Sequence, residues 1–130
     1  MPAPVILILE DHDQARFVIR AVLENSGYSV VEATNEMEAI AVCERAEQKI
    51  DLLISDVILS SAKGTDVAAR ISALRPTTPI LFMSGFGLED LKSRGLVDGN
   101  QFDAGRVLFL QKPFSPEALL HSVRQLVPST

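Results

Sequence analysis

The sequence has no tryptophan, one tyrosine and one cysteine. A single thiol excludes an internal disulfide. Cys43, in AIAVCERA, falls where a helix would turn its apolar side inward, so it reads as a buried, inert thiol rather than a nucleophile. No apolar run approaches the ~20 residues of a membrane span, and the start MPAPV lacks a basic region followed by an apolar one. Basic runs and aromatic–basic alternation are missing as well. With a net charge of -5 and a pI near 4.9, direct nucleic-acid binding is not expected. No repeat or low-complexity tract is visible. These absences point to a soluble protein of a reducing, cytoplasmic compartment. At 130 residues it is read as one domain, 1–130, able to bury well over half of its unfolded surface.

What is present is alternation. Val5–Leu9 is a short, fully apolar run of strand length, and QARFVIRAVLENSG after it has helical periodicity, with Gly27 as a natural stop. A strand over Tyr28–Ala33 follows, then a helix with capping-box spacing at Asn35 and Glu38, reaching about Gln48. Asp51–Asp56, Pro79–Ser84 and Arg106–Gln111 supply three more strands. TDVAARISALRP is the helix between the first two of these, and Ser115 and Pro116 open the last helix. The segment GFGLEDLKSRGLVDGNQFDAG is polar, carries five glycines and has room for only a short helix. Strands alternating with helices predict an α/β, doubly wound, five-stranded parallel sheet with helices on both faces and a shortened or irregular fourth helix.

Such sheets bind ligands outside the carboxyl ends of their strands. Glu10 and Asp11 end the first strand, Asp56 the third and Ser84 the fourth, and Lys112 follows the fifth, so all five are expected on one rim. Carboxylates 4 Å apart repel by about 4 kcal/mol per pair at an effective dielectric near 20. One lysine leaves a charge deficit that a small hard cation would fill, and oxygen-only ligands point to Mg²⁺. Taken singly, each acid is better read as a helix cap, as Asp13 is; the five groups together on matching strand ends are not. His12 reads as a solvated loop residue beside the acids, and His121 as a surface residue of the last helix.

Glu10 and Asp11, LLISD ending in Asp56, Gly64 after it, Ser84 after PILFM, and Lys112-Pro113-Phe114, in this order, resemble the receiver domain of bacterial two-component response regulators. The resemblance runs from VILILED to SVRQLV and implies a flavodoxin-like sheet of order 2-1-3-4-5. It implies Asp56 as phosphoryl acceptor and Mg²⁺ held by Glu10, Asp11, Asp56 and the Ile58 carbonyl. Lys112 would pair with a phosphoryl oxygen, and Ser84 and Phe109 would form a switch pair. A cis Lys112–Pro113 bond is also implied. The donor would be a phosphohistidine on a sensor histidine kinase or phosphotransfer protein. The chain would then be a switch that catalyses its own charging and discharging, rather than an enzyme with turnover.

The sequence departs from this family where Leu59 and Ser60 replace a common Met-Pro pair, a loss of proline expected to free the loop. It departs again where Ser84-Gly85 replaces Thr-Ala and where the 85–105 segment is long, so the family's usual dimer is not carried over. That long segment followed by FLQKPFSPEALLHSV resembles receivers fused to hybrid sensor kinases. With only PST after Val127, no output domain is expected, and control of a docking partner or of a fused domain is. Two other functions compete. Asp11-His12-Asp13 resembles the Asp-x-Asp of haloacid dehalogenase-type phosphohydrolases, although Ala15 and Arg16 break that pattern and no cap domain fits. A non-phosphorylated binding module is the second; no GxxxxGKS or GxxxxGKT loop supports a nucleotide.

Overall fold

The computed structural model describes residues 2–102 and 105–127. Five strands, β1 (Val5–Leu9), β2 (Ser29–Ala33), β3 (Leu52–Asp56), β4 (Ile80–Ser84) and β5 (Val107–Gln111), alternate with helices α1 (Asp13–Asn25), α2 (Glu36–Glu44), α3 (Gly64–Leu74), α4 (Leu88–Ser93) and α5 (Pro116–Leu126). The strands form one parallel sheet in the order β2-β1-β3-β4-β5, the flavodoxin-like order expected.

Strand alternation sorts the core into two layers. Ile6, Ile8, Leu52, Ile54, Leu81 and Met83 pack against Ile19 and Leu23 of α1 and Leu119 and Val123 of α5. Leu7, Leu9, Leu53 and Phe82 pack on the other side against α2, α3 and α4 through Ala39, Val67, Ile71 and Leu91. The same parity puts Glu10, Asp56 and Lys112 at register positions of the α1/α5 face. Ser84 and Phe109 share the opposite parity, and Phe109 packs into the layer that contains Phe82.

Element ends follow local hydrogen bonding. Gly27 adopts a positive φ of 94° and donates to the Glu24 carbonyl, while Tyr28 N–H returns to Leu23. Tyr28 therefore completes the turn, and β2 starts one residue later than expected. Asn35 caps α2 by accepting from Glu38 N–H at 2.9 Å, and the Glu38 carboxylate reaches back to Thr34 N–H at 2.7 Å. That helix stops at Glu44, short of the expected Gln48, because Arg75 donates to the carbonyls of Cys43 (3.1 Å) and Arg45 (2.8 Å) and so satisfies its last turn from outside. Ser115 caps α5 by accepting from Ala118 N–H.

Asp13 is not a cap. His12 occupies the N-cap position without a side-chain bond, and Asp13 is the first helical residue, 88% exposed and paired with Arg16 at 2.6 Å. The 85–102 stretch holds only the six-residue α4 and a 3-10 turn over Gly99–Phe102, as its glycine content implied. Of the same long segment, residues 103–104 lie outside the described part, as do the terminal residues 128–130. Among the described residues no helix is long and apolar enough to cross a membrane.

Candidate functional site

The carboxyl ends of β1, β3, β4 and β5 meet at one edge of the sheet. Backbone ladders run one residue past the strands there: Glu10 N–H bonds Ala33 C=O, Val57 N–H bonds Met83 C=O, and Lys112 N–H bonds Ser84 C=O at 2.8 Å. The side chains that follow are therefore fixed at their bases. The Lys112–Pro113 peptide is cis.

The Lys112 ammonium sits between two buried carboxylates, 2.6 Å from Glu10 Oε1 and 2.8 Å from Asp56 Oδ1. The second Glu10 oxygen accepts the His12 N–H at 3.1 Å, and Arg16 Nη1 donates to the Glu10 carbonyl at 2.8 Å. Asp11 turns the other way, toward the β3–α3 loop, where its Oδ2 accepts from Ser60 N–H at 2.8 Å and from the Ser60 hydroxyl. Ser84 is buried, and its hydroxyl oxygen accepts Phe86 N–H at 3.1 Å. Asp56, Ile58, Ser84, Phe86, Lys112 and His12 line a cleft of about 160 Å³. A larger depression of about 520 Å³ at Thr65, Lys92 and the 95–99 turn contains none of these groups.

Burial disfavours the charged carboxylate and pushes the Asp56 carboxyl up to about 8, with the neighbouring Glu10 adding to the rise and Lys112 opposing it. Burial also works to raise Glu10, but its contacts with Asp56, Lys112 and the His12 N–H outweigh that and hold it below its ordinary value. Of the two acids, Asp56 is thus the one whose carboxyl is raised and Glu10 the one that is lowered. Burial works against the Lys112 ammonium, and the two carboxylates more than reverse this, raising its pKa. Asp11 is lowered because the two Ser60 donors and Glu10 exceed its burial.

The donor set fits a small hard cation. Ligand atoms of Glu10, Asp11 and His12 lie within 4.8 Å of one another, and carboxylate oxygens beside a cleft suit Mg²⁺. Asp56 Oδ1 and Glu10 Oε1 are both paired with Lys112, and the His12 imidazole beside the acids is 82% exposed, its Nδ1 3.3 Å from Asp11.

A family profile described as the response regulator receiver domain matches residues 6–124. The chain belongs to that family. This receiver domain is 30% identical over 122 residues to "Sensor kinase CckA" of Brucella abortus, covering 94% of the chain but 12% of that protein. It is 32% identical to the "Phosphate regulon transcriptional regulatory protein PhoB" of Pseudomonas aeruginosa, covering all of the chain and 54% of that protein. The receiver therefore spans about half or less of the length of these relatives. Among solved structures, the receiver domain from the hybrid histidine kinase CckA superposes with a TM-score of 0.74 at 33% identity, covering 94% of this chain and 98% of that one. The chemotaxis protein CheY4 of Vibrio cholerae superposes with a TM-score of 0.79 at 25% identity, covering 96% and 99%.

The structure brings Glu10, Asp56 and Lys112 into direct contact, with Ser84 in the same cleft, while Asp11 stands beside Glu10 and turns to Ser60, and Phe109 lies level with Phe82 on the Ser84 face of the sheet. Two contributors were not legible in the sequence. Arg16 holds the Glu10 backbone, and its only signal was an out-of-pattern base after Ala15. Ser60 stands where the family often has proline, yet the loop is not freed by that loss: Ser60 is bonded across the site to Asp11. Gly64, a motif match in the sequence, has its reason in the structure, since a Cβ there would fall 1.7 Å from the Asp56 carbonyl oxygen. His121 is exposed and contacts Gln125, as a surface residue of α5 should.

Proposed function

We propose that this receiver is a phosphoryl-accepting switch in which Asp56 is the acceptor. The observation that carries the reading is the Lys112 ammonium held against Asp56 and Glu10 at the mouth of a cleft that also contains the Ser84 hydroxyl. An Asp56 oxygen donates an electron pair to phosphorus as the P–N bond of a phosphohistidine breaks, and that pair stays on the departing imidazole. Glu10, Asp11 and Asp56, with the Ile58 carbonyl, are the groups that would hold Mg²⁺, which supplies neutralisation of phosphoryl oxygens and favours ionised Asp56. Lys112 balances a further phosphoryl oxygen. Ser84 exchanges Phe86 N–H for the phosphoryl group, and Phe109 follows in the layer behind. Hydrolysis by water returns Asp56 and inorganic phosphate, so the domain catalyses both its own charging from the donor and its own discharge.

The donor fits a sensor histidine kinase or a phosphotransfer protein. Phe17 and Val18 on α1 are 72% and 56% exposed, and Val18 borders an apolar depression of about 350 Å³ with Ala15, Pro113 and Phe114 beside Lys112. Likeness to a sensor kinase and to a hybrid-kinase receiver supports an origin in, or alongside, such a kinase, with a cytoplasmic location and an output through a docked or fused partner. The test is labelling with acetyl phosphate and Mg²⁺. Asp56→Asn should abolish an acid-labile acyl phosphate while Asp11→Asn only slows its formation. Labelling that survives Asp56→Asn and is lost in Asp11→Asn would overturn the reading in favour of a phosphohydrolase. No labelling of the parent, together with no response to beryllofluoride, would favour an inert binding module.

A further inference from the structure

The β3–α3 loop is closed by its own backbone: Ile58 and Lys63 form an antiparallel bridge, Leu59 N–H bonds Ala62 C=O at 3.0 Å, and Gly64 N–H bonds Val57 C=O at 2.6 Å. Leu59 is buried in the core layer beneath it. Ser60 is thus presented from a fixed base. Both of its donors, amide and hydroxyl, converge on one oxygen of Asp11, a residue 49 positions away in the chain. The other oxygen, Oδ1, faces His12 on the side where the Glu10, Asp11 and His12 ligand atoms gather. A proline at position 60 would lack both donors.

We propose that Ser60 is a positioning residue for divalent-cation binding. By occupying Asp11 Oδ2 with two hydrogen bonds, it holds the carboxylate in one orientation and leaves Oδ1 for the ion. Hydrogen-bond partners behind a ligating carboxylate orient it before the ion arrives, so less ordering is left for binding itself. The polar loop residue replaces the rigidity of a proline with a direct tie between the acceptor loop and the metal-binding acid. The inference rests on the proposed function, since it takes Asp11 as a Mg²⁺ ligand.

The test is calorimetric titration of the intact chain with magnesium chloride at fixed pH and ionic strength, alongside thermal melts without metal. Ser60→Ala keeps the amide and loses the hydroxyl, so its Mg²⁺ dissociation constant should rise about tenfold, the lower end of what loss of a partner behind a metal ligand costs. Ser60→Pro, losing both donors, should bind more weakly still, and Ser60→Thr should restore binding to near the parent value. A purely structural role would lower the melting temperature of Ser60→Ala without moving the dissociation constant. Unchanged or tighter Mg²⁺ binding by Ser60→Ala would overturn the proposal while leaving Asp56 as acceptor untouched. A parent protein that binds no Mg²⁺ would overturn both.

Discussion

A Cβ on Gly64 would stand 1.7 Å from the carbonyl oxygen of Asp56 and 2.8 Å from its carbonyl carbon. Both obstacles are backbone and cannot rotate away. Gly64→Ala should therefore push the whole β3–α3 loop off the end of β3. The expected loss is about 3 kcal/mol, at the upper end of overpacking costs, read as a lower urea midpoint. An unchanged midpoint would mean that the loop moves more freely than its two closing backbone bonds imply.

Removing the Asp56 carboxylate should stabilise the domain when no divalent cation is present. The folded Asp56 carboxyl titrates at about 8 against an ordinary value of 3.8, so between those pH values the unfolded chain releases a proton that the folded chain retains. Stability from this group accordingly falls as pH rises from about 4 to about 8. Asp56→Asn abolishes that slope and should exceed the parent by at least about 1 kcal/mol at pH 8, given that a tenfold change in a protonation equilibrium corresponds to about 1.4 kcal/mol. Denaturant titrations at several pH values, without divalent cations, decide it.

Lys112 carries a different burden, since it is the ammonium between two carboxylates. Lys112→Ala should slow phosphorylation by acetyl phosphate about 100-fold, as loss of one preorganised charge partner does elsewhere. Lys112→Arg should not restore the rate, because a planar guanidinium cannot present the same compact charge to Glu10 and Asp56 together. Time courses of acyl phosphate formation provide the measurement.

Ser84 and Phe86 can be followed optically. The chain has no tryptophan, so Phe86→Trp introduces a single indole that can be excited apart from Tyr28. The Phe86 ring lies with the Arg94 guanidinium carbon 4.6 Å from its centroid, and its N–H is held by Ser84 Oγ. If the hydroxyl turns to a phosphoryl mimic, that N–H loses its acceptor and the ring leaves Arg94, a contact worth about 0.5–1 kcal/mol at an exposed site. Beryllofluoride with Mg²⁺ should give a saturable emission change in Phe86→Trp and none when Ser84→Ala is added.

Local features of the chain were readable because their causes lie within a turn or two. The apolar runs of β1, β3 and β4 mark strands buried on both faces, and Asn35 and Ser115 cap helices whose first amides are three residues away. The rim was readable too, because a parallel sheet delivers every strand end to one edge. Remote groups produced the differences. α2 ends early because Arg75 caps it from 30 residues on, and Asp13 faces Arg16 instead of capping α1 because an arginine one turn ahead competes for it.

The sequence by itself determined the strands, their two-faced burial and which residue types stand at their ends, since side-chain alternation and capping are short-range properties of the backbone. Only the tertiary structure decided which of those ends touch. Lys112 meets Glu10 across 102 residues and Ser60 meets Asp11 across 49, contacts set by strand register and by how one loop closes on itself, neither of which any local pattern encodes.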